Sequence, residues 1–217
     1  MMDATARKIP SHELTYTRLR DMVLFGRLEP GQPVTIQGLC AALDVGMTPV
    51  REAIRRLTAE AALTPQGNRR VSVPVLSVRD VDQLAFARLA IEPHLVGLAA
   101  ARATPALIAR LTAIDAQIDA AIAAGRISDY LETNYTFHFA LYDASDAPVL
   151  VDMARALWLR FGPSLRVVCA RYGAGTLIDR HKDALAAMRA GDAAGLVAAM
   201  QADIEDGVGG VRATLGG

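Results

Sequence analysis

Residues 45–57, VGMTPVREAIRRL, carry the pattern on which the fold of this chain turns. Thr48 is a side chain of the N-capping type, and Pro49 suits the first helical position, where its missing N–H costs nothing. From there Val50, Ala53, Ile54 and Leu57 recur at i, i+3, i+4 and i+7, so one face of the predicted helix is apolar. Thr48, Arg51, Glu52 and Arg55 gather on the opposite face, with Arg56 at its edge. A short helix with a dry back and arginines near its N-terminus has the shape that enters a DNA major groove. The same pattern also describes an ordinary amphipathic surface helix, so the flanking segments decide.

Upstream, His12 to Phe25 places Leu14, Leu19, Met22 and Val23 at helical spacing, and Gly26 with the turn Glu29-Pro30-Gly31 ends it. Thr35 is placed to cap a second short helix, Ile36 to Leu43, with Ile36, Leu39 and Leu43 on its apolar face. Downstream, Thr64 to Asn68 reads as a tight turn and Arg70 to Val75 as a strand. Three helices followed by a small β-hairpin describe a winged helix-turn-helix over residues 1–75, with Gly67, Asn68, Arg69 and Arg70 at the wing tip.

Beyond Pro74 the pattern changes. Ser77-Val-Arg-Asp80 resembles a capping box, and a long helix is expected from it to about Ala103. Further helices are expected at about 105–124, 128–144, 147–171, 175–190 and 192–208, with Gly125, Pro148, Gly173, Gly175 and Gly191 as punctuation. No segment alternates as a strand does. The expectation is a mainly α chain, in which residues 76–217 form an all-helical bundle.

Composition fits this division. Hydrophobic residues are 52% of the 217, charged residues 21% and aromatics 5%, which supports a buried core of closely packed helices and argues against wholesale disorder. The net charge is zero, yet residues 1–78 hold 10 Lys/Arg against 7 Asp/Glu, whereas residues 79–217 hold 13 against 16. Cys40 and Cys169 match no metal or redox spacing. No apolar leader or membrane-length segment is legible, so a cytoplasmic protein is expected.

Several polar residues fall on apolar stripes of the second half. Arg88 and Glu92 share the stripe of Val81, Leu84 and Leu95. A buried guanidinium needs a partner. Two readings stand side by side: an Arg88–Glu92 ion pair that holds the bundle, or an Arg88 fork open to a ligand carboxylate. Pro93 removes a helical hydrogen bond beside them. Asn134 and His138 share a face with Tyr130, Phe137 and Leu141, His181 one with Leu177, Leu185 and Met188, and Asp203 one with Leu196, Met200 and Ile204. Singly, each reads as a satisfied core residue. Together, Asn134, His138, His181 and Asp203 form an N₂O₂ set able to hold a divalent ion, with water or an organic acid in the remaining positions.

These motifs resemble the GntR family of bacterial transcriptional regulators, in particular its FadR-type subgroup with a helical ligand-binding FCD domain. LRDMVLFGRLEPGQPV looks like the family's opening helix and turn, and VGMTPVREAIRRL like its recognition element. RLAIEPHLVGLAA, NYTFHFAL and HKDALAAMRAGD look like the effector-domain motifs. The resemblance implies a homodimer that reads a pseudo-palindromic double-stranded operator and answers to a small organic acid, with repression relieved by ligand as the expected sign. It also implies that Thr48, Arg51, Arg55 and Arg56 face DNA with the wing residues Gly67, Arg69 and Arg70. Arg88, Glu92, Tyr130 and Asn134 are the expected effector contacts. His138, His181, Asp203 and Asn134 are the expected ligands of Zn²⁺, Ni²⁺, Mn²⁺ or Mg²⁺.

The chain departs from the family pattern at informative places. Gly46-Met47 stands where Ser-Arg is usual, which removes an arginine expected at phosphate or base edges. Asp44 replaces a turn glycine, and Asp visits the left-handed region more readily than most residues. Asn134 and Asp203 replace an Asp and a His, making the donor set richer in oxygen; this either shifts preference toward Mn²⁺ or Mg²⁺ and weakens Zn²⁺, or leaves a polar, metal-free pocket. The function expected is that of a ligand-responsive regulator and not an enzyme. The alternatives are a metal-responsive regulator, or a metal-dependent enzyme using the same pocket.

Overall fold

The computed structural model describes residues 11–173 and 180–216, and these divide into two compact units that meet in sequence between Val75 and Leu76. The first unit holds α1 (Ser11–Leu24), β1 (Val34–Thr35), α2 (Ile36–Leu43), α3 (Met47–Ala59), β2 (Thr64–Pro65) and β3 (Arg70–Ser72). The stripe Val50, Ala53, Ile54 and Leu57 is buried, packed with Leu19 and Val23 of α1 and Leu39 and Leu43 of α2. Hydrophobic periodicity therefore packs the three helices on one another.

Local chemistry fixes the turns. The Thr35 side chain accepts the Gly38 N–H at 2.9 Å and caps α2. At its other end Asp44 takes φ 52°, ψ 51°, so the left-handed C-cap expected of a glycine is made by an aspartate. Arg18 of α1 donates to the Leu43 carbonyl at 2.6 Å, satisfying one of the open carbonyls there.

Helix α3 begins earlier than expected. Gly46 is its N-cap and offers no side-chain hydrogen bond, while Thr48 sits inside the first turn and is exposed. Pro49 is still placed where the helix has no use for its N–H. The wing also has one strand more than a hairpin. β3 pairs antiparallel with β2, Thr64 opposite Ser72, and with β1, Val34 opposite Val71 and Thr35 opposite Arg70. A two-residue strand has no period to read, so β1 left no signal in the sequence.

The second unit is helical throughout its described residues: α4 (Val78–Ala100), α5 (Pro105–Ala123), α6 (Ile127–Asp143), α7 (Pro148–Tyr172), α8 (His181–Ala190) and α9 (Ala193–Leu215). Ser77 and Asp80 form a complete capping box at the start of α4, with Asp80 in the place usually held by Glu or Gln. α4 packs on α9 and α7, α5 on α6 and α8, and α8 on α9. The expected start of α8 at 175 falls partly on 174–179, which lie outside the described residues. α9 continues past 208 despite Gly207, Gly209 and Gly210, because Ile204, Val208 and Val211 prolong its buried stripe.

The Asp44 turn is directly testable. Asp44→Ala is expected to cost about 1 kcal/mol in urea unfolding while Asp44→Gly is tolerated, since alanine alone lacks both a local polar side chain and glycine's freedom at positive φ.

Candidate functional site

Burial of one face of α3 leaves Thr48, Arg51 and Arg55 exposed on the other. Arg55 forks onto Glu52, Nε to Oε2 at 3.0 Å and Nη2 to Oε1 at 2.6 Å. The pair is solvent-exposed, so it gains little and is readily exchanged for a phosphate or a base edge. At the wing tip Gly67, Asn68 and Arg69 all take positive φ, 70°, 45° and 58°. This tight turn carries Arg69 and Arg70 into solvent beside Gly67.

Arg56, expected in the DNA-facing set, has partners within the unit. Its Nη1 donates to Glu13 Oε1 at 2.7 Å, and its guanidinium lies 3.7 Å from the centroid of the Tyr16 ring. The Tyr16 hydroxyl in turn donates to Glu60. At the edge of the stripe, Arg56 folds back onto α1 and ties it to α3.

In the second unit, Arg88 and Glu92 stand one turn apart on α4 and are both buried. Arg88 Nε donates to Glu92 Oε1 at 2.6 Å and Nη2 to Oε2 at 3.2 Å. Oε2 also receives the Tyr142 hydroxyl of α6 at 2.7 Å and Trp158 Nε1 of α7 at 3.1 Å. The rings of Trp158 and Phe161 flank the guanidinium, 4.6 and 4.7 Å from Cζ to their centroids. Burial alone would lower the Arg88 pKa, but the charge and hydrogen bonds of Glu92 outweigh it and hold it above its ordinary value.

The ion-pair reading of these two residues is thus the one realised. The fork is not open, because two of its three nitrogens are engaged by Glu92. Glu92, expected among the effector contacts, is wholly buried, and both of its oxygens accept donors. Arg88 nonetheless borders a small cavity, partly open to solvent, whose other polar walls are Tyr130, Asn134, Asp203 and Asp206. Arg180 Nε holds Asp206 at 2.9 Å.

Beside this cavity His138 of α6, His181 at the start of α8 and Asp203 of α9 bring one donor atom each within 4.8 Å of the others. His138 Nε2 lies 3.1 Å from Asp203 Oδ2, and His181 Nε2 lies 3.9 Å from Asp203 Oδ1. Asp115 Oδ1 stands 4.0 Å behind His181 Nδ1. Burial lowers the His138 pKa, against the pull of Asp203, and so favours a neutral ring. Burial would raise the Asp203 carboxyl, but His138, His181 and Arg88 hold it below its ordinary value.

A neutral imidazole and an ionised carboxylate are the forms that bind metal. Donors about 2.0–2.2 Å from a tetrahedral ion stand about 3.3–3.6 Å from one another; here one donor atom of each residue lies within 4.8 Å of the others, with His138 and Asp203 at 3.1 Å. His138 Nε2 is also buried without a directed hydrogen bond, because Asp203 is near it but off the ring N–H direction. The three residues therefore fit a divalent cation. Asn134, the fourth member expected, borders the adjoining cavity together with Asp203.

Residues 12–73 match the family model of bacterial regulatory proteins, gntR family, and residues 83–206 match that of the FCD domain. The chain belongs to the GntR family. It is a DNA-binding transcriptional regulator of the GntR/FCD type. Among its relatives, the HTH-type transcriptional regulator McbR of Escherichia coli (strain K12) is 30% identical over 180 residues, covering 82% of this chain and 81% of McbR. The Nta operon transcriptional regulator of Aminobacter aminovorans is 33% identical over 138 residues, covering 63% of this chain and 64% of that protein. The solved structure of E. coli McbR/YncC superposes with a TM-score of 0.89 at 26% identity, over 95% of this chain and 99% of that one. A putative GntR regulator from Rhodococcus sp. RHA1 shares the fold, with a TM-score of 0.76 at 23% identity over 93% and 97% of the two chains.

In this GntR regulator, sequence reasoning missed Tyr142, Trp158 and Asp206. An aromatic residue on an apolar stripe reads as core, and only the convergence of α4, α6 and α7 shows that two polar tips meet on Glu92. Because Glu92 is the carboxylate paired with the buried Arg88 guanidinium, Glu92→Ala is expected to cost about 3–5 kcal/mol of unfolding free energy. The double variant Arg88→Met/Glu92→Leu is expected to cost less than Glu92→Ala, which denaturant titration of both would reveal.

Proposed function

We propose that this GntR regulator represses transcription as a homodimer and releases its operator when a small organic acid binds the cavity of the second unit by way of a divalent cation. The observation that carries the reading is the charge of the cavity wall. Arg88 is neutralised by Glu92 and Arg180 by Asp206, which leaves the Asp203 carboxylate in excess. An anion entering such a wall meets net repulsion. A divalent cation held by His138, His181 and Asp203 reverses that sign and supplies a Lewis-acid anchor for a carboxylate. Arg88 Nη1, outside the Glu92 fork, then contributes a second contact, with Tyr130 and Asn134 completing the polar wall.

The oxygen-bearing Asp203, with Asn134 close by, widens the ions such a set accepts to Mn²⁺ and Mg²⁺ beside the Zn²⁺ and Ni²⁺ that two imidazoles suit. Binding without turnover is the reading for the cavity. Among the described residues its wall carries no serine, cysteine or lysine, so no nucleophile is positioned beside a base. Exposed apolar side chains support self-association, namely Val78 and Phe86 of α4 and Val149 and Met153 of α7, with Phe86 77% exposed. A cytoplasmic setting accords with two free cysteines and a DNA target.

On DNA, Thr48, Arg51 and Arg55 would read the major groove, and Gly67, Arg69 and Arg70 of the wing would meet the minor groove or backbone. Arg51→Ala and Arg55→Ala are each expected to weaken operator binding by about 5- to 150-fold in a fluorescence-anisotropy titration, with the fold and dimer retained. Undiminished binding in both would remove α3 as the reading element.

Effector and metal are tested together by thermal-shift screening of organic acids with and without a chelator. An acid at a hundredfold excess over Kd should add about 2.7 kcal/mol of stability, and chelation should abolish that gain. Stabilisation that survives chelation would leave the cavity as a metal-free acid site. Metal that changes operator affinity with no acid present would make the ion itself the signal.

A further inference from the structure

The proton positions around His138 follow from the donors and acceptors that surround it. Glu92 is ion-paired and accepts on both oxygens, so the 2.7 Å contact with Tyr142 is a donation by the tyrosine hydroxyl. That hydroxyl has a single proton. Its oxygen must therefore accept in the 2.9 Å contact with His138 Nδ1, which requires a hydrogen on Nδ1. The reverse arrangement, Tyr142 donating to Nδ1, would set two bare oxygens 2.7 Å apart in a buried site. Asp203 is the competing influence, because a carboxylate 3.1 Å from Nε2 would draw a proton there. It lies off the ring N–H direction, and Nε2 has no aligned acceptor.

From this chain, Arg88 to Glu92 to Tyr142 to His138, we infer that Tyr142 is a positioning residue that fixes His138 as the Nδ1–H tautomer and so presents the Nε2 lone pair to the donor cluster with His181 and Asp203. This deepens the metal-dependent reading proposed above and rests on it for its purpose, although the tautomer itself does not. Histidine ligands are held in this way by a partner on the second ring nitrogen, and the loss of such a partner weakens metal binding about 10- to 100-fold. Here the partner is a neutral phenol. Its acceptor strength comes from the buried carboxylate behind it, which is itself fixed by Arg88. The arginine bordering the cavity and the histidine of the metal cluster are thus two ends of one hydrogen-bonded chain.

The test uses the full-length protein freed of metal, with ¹⁵N-detected NMR of the His138 ring and titration with Zn²⁺ alone. Wild type is expected to show a protonated Nδ1 and a bare Nε2 at neutral pH. Tyr142→Phe, which keeps the ring and removes only the hydroxyl, is expected to lose that tautomer preference and bind Zn²⁺ about 10- to 100-fold more weakly. Circular dichroism checks that the variant is folded. If wild type carries its proton on Nε2, or on both nitrogens, the inference is overturned without recourse to any variant. It is equally overturned if folded Tyr142→Phe matches wild type in Zn²⁺ affinity. Wild type with the expected tautomer but no Zn²⁺ binding upholds the role of Tyr142 in fixing the ring and instead ends the metal-dependent reading.

Discussion

The buried Arg88–Glu92 pair is the constraint around which the second unit is arranged. Two charges removed from water must be compensated nearly completely, or the bundle loses several kcal/mol. Compensation comes from three helices at once. α4 supplies the pair, α6 brings the Tyr142 hydroxyl, and α7 brings the Trp158 N–H and the two rings that flank the guanidinium. An apolar core tolerates sliding of one helix on another, whereas a carboxylate with four directed donors does not. The polar cluster therefore fixes helix register at the place where the cavity opens.

That rigidity reaches the donor cluster. His138 contacts Tyr142 through one ring nitrogen and approaches Asp203 with the other. Asp203 in turn lies one turn before the cavity residue Gly207 on α9, the helix that packs most extensively on α4. Any ligand that draws on Arg88 or Asp203 would thus act on a set of helices already held in register.

How much of this could be read from the sequence depends on the kind of signal. The helices announce themselves by periodicity, and Arg88, Glu92, Asn134, His138, His181 and Asp203 do so by breaking it, because a polar residue on an apolar stripe is conspicuous. The state of Arg88 was not legible. An i, i+4 spacing permits both an ion pair and an open fork, and the choice is made by Tyr142 and Trp158, residues more than forty positions away that look like ordinary core. Boundaries were blurred for a related reason. Thr48 is the better cap by propensity, yet α3 starts at Met47 with Gly46 before it, since burial of Val50 through Leu57 sets the helix and the cap is secondary.

Arg55 and Arg56 are adjacent in sequence and have opposite commitments. Arg55 is held only by an exposed partner on its own helix, while Arg56 joins α3 to α1 through Glu13 and Tyr16. Substitution at position 55 therefore puts little of the fold at risk, whereas substitution at 56 loosens the scaffold that aims the helix. On the DNA-reading role proposed for this face, its outward side chains could change one at a time without the architecture first having to be repaired.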